Sequence, residues 1–454
     1  MTVARQLADF LAGISVVDLP PQAIDNAAMI IASTIASAAA GMQLASARII
    51  RDLARDRGGR SEASLWFDAD ARAPIADAAQ SNAVMSDAAA SDDSDLRNIV
   101  HAGTPLTAVS LAIAERDGSS GEAVLTAIVC GYEAAGRISE AITPGFRARG
   151  FHGCHGAIFA ASVAAARLLR LDAGQMARAI ALSATSIGGL ATAADTSVAR
   201  EYHAGLAALL GVNAALAAQR GYQCEESVLE TQHGFFEAFG GVDGASGAPI
   251  ATGELGESWD ICTDMAIKLV PGGHPYHAIA EAAANASREA NVAAADVASI
   301  TIARPGMTKL TGPLHPTDLI DMAHSPAYFA AAGVADRAFS WDHASAAKIA
   351  DPVIHRLIDR VQVGAPPAQD AARYRQGATV TIATHDGRRF SNTVYAPKGA
   401  AALGIDWRDV DAKYRALVPM AGLGVREIEA SLTLIHDFRR LTEVAALARS
   451  LRTV

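Results

Sequence analysis

The stretch Lys268-Leu269-Val270-Pro271-Gly272-Gly273-His274-Pro275-Tyr276-His277 separates two kinds of sequence. Before it, apolar residues recur at three and four positions in Val3 to Ile14, Ile24 to Ala40, Pro105 to Arg116, Glu122 to Ile142, His155 to Leu169, Ala173 to Ser183 and Arg200 to Arg220. Gly, Pro or Asp flanks these runs, so the first half reads as all-helical. After it, strand signals begin. Val297 to Ala303 alternates apolar and polar residues, and Ala378 to Thr384 with Arg389 to Tyr395 reads as a hairpin around Asp386-Gly387. Helices are expected between them at Asp321 to Ala332 and His343 to Val361, and again at Trp407 to Leu417 and Val425 to Leu451. In the last of these, Ile428, Leu432, Ile435, Phe438, Leu441, Val444 and Leu447 form a stripe that needs a partner surface, on the first helical half or on a second subunit. The expected division is therefore 1–266 helical, 267–400 α+β, and 401–454 returning to helix.

Composition agrees with packed helices. The 454 residues are 51% hydrophobic but only 5% aromatic, so alanine and small aliphatics carry the apolar content, which argues against disorder. A formal charge of −10 disfavours nucleic acid and anionic membranes as partners. Asn26 to Ala47 lacks charges, but its polar residues and alanines suit a buried helix better than a membrane span. Cys130, Cys154, Cys224 and Cys262 lie far apart, with no Cys-x-x-Cys pair, which fits a reducing compartment, and Met1 to Val17 does not read as a signal peptide. The expected location is the cytoplasm.

Four clusters could carry chemistry. Ser91-Asp92-Asp93-Ser94-Asp95, between Asp87 and His101, reads either as a solvated loop ahead of the helix at Pro105 or as pocket walls beside a titratable histidine. Arg147 to Gly156, with His152 and His155 among its glycines, could admit an anion at a helix start. Arg200-Glu201-Tyr202-His203 opens a helix with a cation, which is commonly just ion-paired. Lys268 to His277 brings the first of only five lysines together with two histidines at the proposed domain boundary, where clefts form. The pairs His152/His155 and His274/His277 raise a metal possibility. Each lies in a Gly- or Pro-rich segment not expected to be helical at both positions, and neither has the Glu of a zinc-protease motif, so no metal is expected. Phosphate-binding glycine loops and a nucleophile elbow are missing, so nucleotide cofactors and serine hydrolysis drop out.

Taken in order, these clusters resemble the MmgE/PrpD family, which includes 2-methylcitrate dehydratase, cis-aconitate decarboxylase and iminodisuccinate epimerase. The resemblance spans nearly the whole chain and rests on Arg149-Gly150-Phe151-His152, Tyr202-His203-Ala204-Gly205 with the helix that follows, Lys268 with Pro271 and His277, and Ser325-Pro326-Ala327-Tyr328. It implies a mainly α protein: a large helical domain built from both chain ends, an inserted smaller α+β lid, a homodimer and a cleft active site without an organic cofactor. The implied reaction is dehydration or decarboxylation of a small di- or tricarboxylic acid by proton removal beside a carboxylate. The alternatives are a dicarboxylate epimerase and a diverged, non-enzymatic homologue. Two positions depart from the family: Ala90 stands where its first aspartate is found, and Arg200 where it has lysine, which keeps the charge but cannot titrate near neutrality. On this resemblance His152, Lys268, His101 and His274 are the acid/base candidates. Asp93, Ser94, Arg200, His277 and Tyr328 are the expected pocket residues.

Overall fold

The computed structural model describes residues 1–186, 188–367 and 373–453. The chain divides into two compact units, one of Met1–Ala194, Val198–Ile267 and Asp406–Val454, the other of Asp195–Ser197 and Lys268–Ile405. Helices dominate, so the protein is mainly α.

The first unit is a stack of alanine-rich helices. Ala199–Gln219 packs on Ile75–Ala88 and on Cys154–Leu168, and the latter packs on Gly121–Ala141. Pro21–Gly41 lies against Ile75–Ala88 and Trp407–Leu417. Among the described residues it is the one helix long and apolar enough to cross a membrane, but 89% of its most apolar window is buried inside the fold. Boundaries follow side-chain chemistry. Pro21 opens its helix, the Ser120 hydroxyl accepts the Ala123 N–H, and Asp172 with Gln175 forms a capping box.

Helices outside the expected set include Ala45–Arg57 and Ile75–Ala88. In the second, every residue except Asp77 is buried, so no polar face marks it, and polar side chains within it bond inside the fold. Asn82, for instance, accepts the Trp66 N–H and donates to the Ser64 carbonyl. The first unit also contains two short antiparallel strand pairs, Ala63–Ser64 with Arg72–Ala73 and Asp93–Asp95 with Met265–Ile267, so it is not purely helical.

The expected long C-terminal helix is broken into Val425–His436, a 3-10 turn at Phe438–Arg440, and Ala445–Ser450. The reason is a competing set of backbone bonds. Gly121 donates its N–H to Leu441 and Val444 donates to Ser119, anchoring the segment to the start of Gly121–Ala141. Ile428, Leu432, Ile435, Phe438, Val444 and Leu447 remain buried, Leu441 only partly. A Cβ on Gly121 would sit 1.7 Å from the Phe438 carbonyl oxygen. Gly121→Ala is therefore expected to cost about 1–3 kcal/mol, read as a lower urea midpoint. Farther up the tail, Lys413 is fully buried and its ammonium donates to Ser33 Oγ at 2.7 Å and to the Ser91 carbonyl.

The second unit holds a four-stranded sheet in the order Val361–Val363, Val297–Ala303, Ala378–Thr384, Arg389–Val394. The first pair is parallel and the rest antiparallel, with Ile300 opposite Ile382 and Ile302 opposite Val380. The hairpin turns at Asp386-Gly387, where Gly387 has φ +88°. Helices His274–Ala290 and Pro326–Asp336 pack together and share a core with Ile300, Ile302, Val380 and Ile382. Two expected helices are corrected here. Asp321 to Ala332 splits into Leu319–Ala323 and Pro326–Asp336, because Pro326 starts a new helix and Ser325 caps it. His343 to Val361 breaks into short turns and the helix Pro352–Ile358, then ends in the edge strand Val361–Val363.

Candidate acid/base site

The acidic run is not a solvated loop: Asp92, Asp93 and Asp95 are all buried. The helix Ile75–Ala88 ends one residue past Asp87, and Ala90, at φ +52°, turns the chain into the strand Asp93–Asp95. Asp93 Oδ2 accepts the Gly103 N–H at 3.1 Å and so caps the helix Gly103–Asp117. That is a structural task for one of the Asp93 carboxylate oxygens. Ser94 Oγ lies 3.4 Å from His101 Nδ1, and the same nitrogen is 2.5 Å from an Asp92 carboxylate oxygen and 2.8 Å from the Asp93 carbonyl. The turn thus presents His101 on a bed of oxygen atoms.

His101 begins a row of three imidazoles. Its ring stacks near that of His152, with centroids 6.1 Å apart, and His152 meets His203 at 5.4 Å with Nδ1 to Nδ1 at 3.3 Å. The three come from three places in the chain: the turn before Gly103–Asp117, the loop before Cys154–Leu168, and the second turn of Ala199–Gln219. Each is 7–9% exposed, so the row is withdrawn from bulk water without being sealed. Burial holds the His152 imidazole well below the usual histidine range, and the neighbouring His101, His203, Arg200 and Arg147 add to that shift. Burial also lowers His203, while Asp87 pulls it back up. His152 is consequently a neutral imidazole at pH 7, able to accept a proton.

Backbone contacts fix the row. The His152 N–H donates to the Gly189 carbonyl, and His155 Nδ1 lies 2.8 Å from the His152 carbonyl. Gly189 has φ +142°, and a Cβ there would lie 3.1 Å from His203 Nδ1, so only glycine lets the chain pass this close to the ring.

Arg200 is engaged elsewhere than a ligand. Its Nε donates to Asp87 Oδ2 at 3.0 Å and its Nη2 to the Asp87 carbonyl at 2.6 Å, closing the C-terminal end of Ile75–Ala88. Neighbouring carboxylates hold its pKa above the usual arginine value despite burial. Its charge still faces the histidines, but its hydrogen bonds anchor helix to helix. Asp87, Asp92 and His101 each place one ligand-type atom within 4.8 Å of the others. That set is already bonded to itself: Arg200 compensates Asp87, and His101 faces Asp92. It therefore fits a hydrogen-bonded cluster rather than a cation cage.

The remaining predicted residues belong to the second unit. Lys268, its first long stretch's opening residue, is buried, as are His274 and His277. Contrary to expectation, both histidines lie on one helix, His274–Ala290, with ring centroids 4.8 Å apart. Tyr328 is wholly buried in the second core and its hydroxyl donates to the His343 carbonyl at 3.0 Å. Its polar end is satisfied by a backbone carbonyl of that core. Sequence reasoning passed over His203 and Asp92. The signal for His203 was present in Tyr202-His203-Ala204-Gly205, but nothing local says that this histidine reaches His152.

Fold and site together describe a mainly α, two-unit protein whose first unit carries a buried cluster of imidazoles and carboxylates. The model for the MmgE/PrpD N-terminal domain matches residues 5–246, and that for the MmgE/PrpD C-terminal domain matches residues 271–432. The chain belongs to the MmgE/PrpD family, which includes enzymes such as dehydratases. Comparison with curated proteins returned no match.

Proposed function

We propose that the first unit's histidine row is the acid/base centre of a lyase of the MmgE/PrpD type acting on a small di- or tricarboxylic acid. One observation carries this reading: three buried imidazoles, His101, His152 and His203, meet in a row, and burial lowers the pKa of the middle one. A neutral imidazole removes a proton next to a carboxylate, and the positive field of Arg147 and Arg200 favours the enolate-like charge that develops. The electron pair of the broken C–H bond then expels a β-hydroxyl group, which takes up a proton and leaves as water. Dehydration is the leading outcome, and decarboxylation of an unsaturated tricarboxylate follows from the same polarity. Epimerisation of a dicarboxylate is the second reading, favoured by the direct contact of His152 with a second imidazole, His203.

The test is incubation with citrate-like, aconitate-like and aspartate-derived acids in heavy water, followed by NMR. The proposal expects deuterium to enter one of these acids and an unsaturated product to accumulate. Exchange with inversion and no unsaturated product favours the epimerase. Silence with every acid sinks the enzymatic reading and favours a homologue without activity. Lys268 and His274 remain proposed acid/base residues in their own right, and Lys268→Met is expected to abolish turnover while leaving the circular dichroism spectrum unchanged. An unaltered kcat removes Lys268 from the mechanism.

A further inference from the structure

His152 and His203 face each other through like nitrogens, Nδ1 to Nδ1, at 3.3 Å. Two neutral imidazoles can make that hydrogen bond in only one way: one ring carries its proton on Nδ1 and donates, the other has a lone pair on Nδ1 and accepts. Because a neutral imidazole has one N–H, the donor must then have a bare Nε2 and the acceptor a protonated one. A pair joined in this manner always offers one base and one acid on its outer nitrogens. The joint is stiff as well: the His152 backbone is bonded on both sides, to Gly189 and to His155, and Gly189 packs against the His203 ring. The charges facing the pair are arranged unevenly. His101, Arg147 and Arg200 bear on His152, and Asp87 bears on His203, so an extra proton is better tolerated on His203.

We propose that His152 and His203 act as one proton relay, which makes His203 the second catalytic group of this site. The inference rests on the acid/base reading above. His152 Nε2 takes the proton from the substrate carbon and the ring becomes an imidazolium. Its Nδ1 proton passes to His203 Nδ1, and His203 Nε2 gives up its own proton to the departing hydroxyl. One proton enters, one leaves, and the pair ends in the opposite tautomeric state, to be reset by exchange with water before the next turnover. The relay supplies a titrating group in a site where Arg200 stands in place of a family lysine.

Two measurements test it. In the full chain labelled with 15N at both histidine ring nitrogens, at pH 7.5, one of the two rings is expected as the Nδ1–H tautomer and the other as Nε2–H, with a scalar coupling across the N–H···N bond. Both rings in one tautomer without coupling overturn the relay, whether or not a substrate is known. In His203→Asn the amide takes the place of Nδ1 but has nothing at Nε2. With the acid that the wild type exchanges, this variant is expected to keep deuterium exchange within about threefold and to form product at least about 100-fold more slowly. Product formation close to the wild-type rate overturns the role of His203, and loss of both exchange and product overturns the division of labour between the rings. A wild type that exchanges none of the acids defeats the lyase reading instead, and leaves the tautomer result to decide the pair.

Discussion

His152→Gln is expected to lower kcat by about 10²–10⁴ and to remove deuterium exchange altogether, because an amide cannot hold the abstracted proton. Glutamine keeps much of the ring's bulk and hydrogen-bonding capacity, so urea midpoints at pH 7 should stay close to those of the wild type. The pH dependence gives an independent check. The folded chain keeps His152 neutral where the unfolded chain, with the usual value of about 6.5, takes up a proton. Wild-type stability therefore contains a loss that grows as pH falls below about 6.5, and the glutamine variant lacks it. Between pH 7 and pH 5 the variant should gain stability relative to the wild type. A variant with full turnover would remove His152 from the chemistry.

Arg97→Met is expected to be the most damaging substitution for stability, costing about 3 kcal/mol near neutral pH. Arg97 contacts Glu140, Asp260 and Asp264, and next to them lie Asp95 and Glu133, with Glu133 bound to Arg137 and to the Asp260 N–H. Burial raises the Asp95 carboxyl to about 7, assisted by Asp264, and raises Glu133 and Asp260 too, with Arg97 opposing in each case. Without the guanidinium these carboxylates repel one another in a poorly hydrated place. The sign of the pH effect follows. A raised carboxyl keeps its proton in the folded state after the unfolded chain has released it, so stability falls as pH rises from about 4 through about 7. Removing Arg97 enlarges this penalty, and the deficit against the wild type should be larger at pH 8 than at pH 5. Equal deficits in urea melts at the two pH values would show that the cation does not govern the cluster. Comparing variant with wild type cancels the buried histidines, whose contribution runs in the opposite direction.

The sequence was most readable where one residue face or one turn decides the outcome. The Asp386-Gly387 hairpin lies where its turn chemistry puts it, and Val297 to Ala303 shows the alternation of a strand with a core side. Ala45–Arg57 had a readable period in Ala47, Ile50 and Ala54 and could have been found. Ile75–Ala88 could not be found in that way, because a helix surrounded by others loses the contrast between faces. The break after His436 is set by bonds to Ser119 and Gly121, hundreds of residues away in sequence. The site divides along the same line. His101, His152 and Arg200 could be singled out as chemical types, but their tasks depend on who stands next to them. Asp93 becomes a helix cap through Gly103, Arg200 a brace through Asp87, and Tyr328 a core residue through the His343 carbonyl.

Lys413 carries one more implication, for the order in which the protein matures. Its ammonium and the Ser37 hydroxyl converge on the carbonyl of Ser91, the residue before the aspartate that faces His101. Ribosomal synthesis delivers the imidazoles early and this clamp late, after the whole second unit has emerged. Nascent chains stalled ahead of Lys413 thus carry all three histidines of the row while lacking the hand that holds their oxygen bed in place.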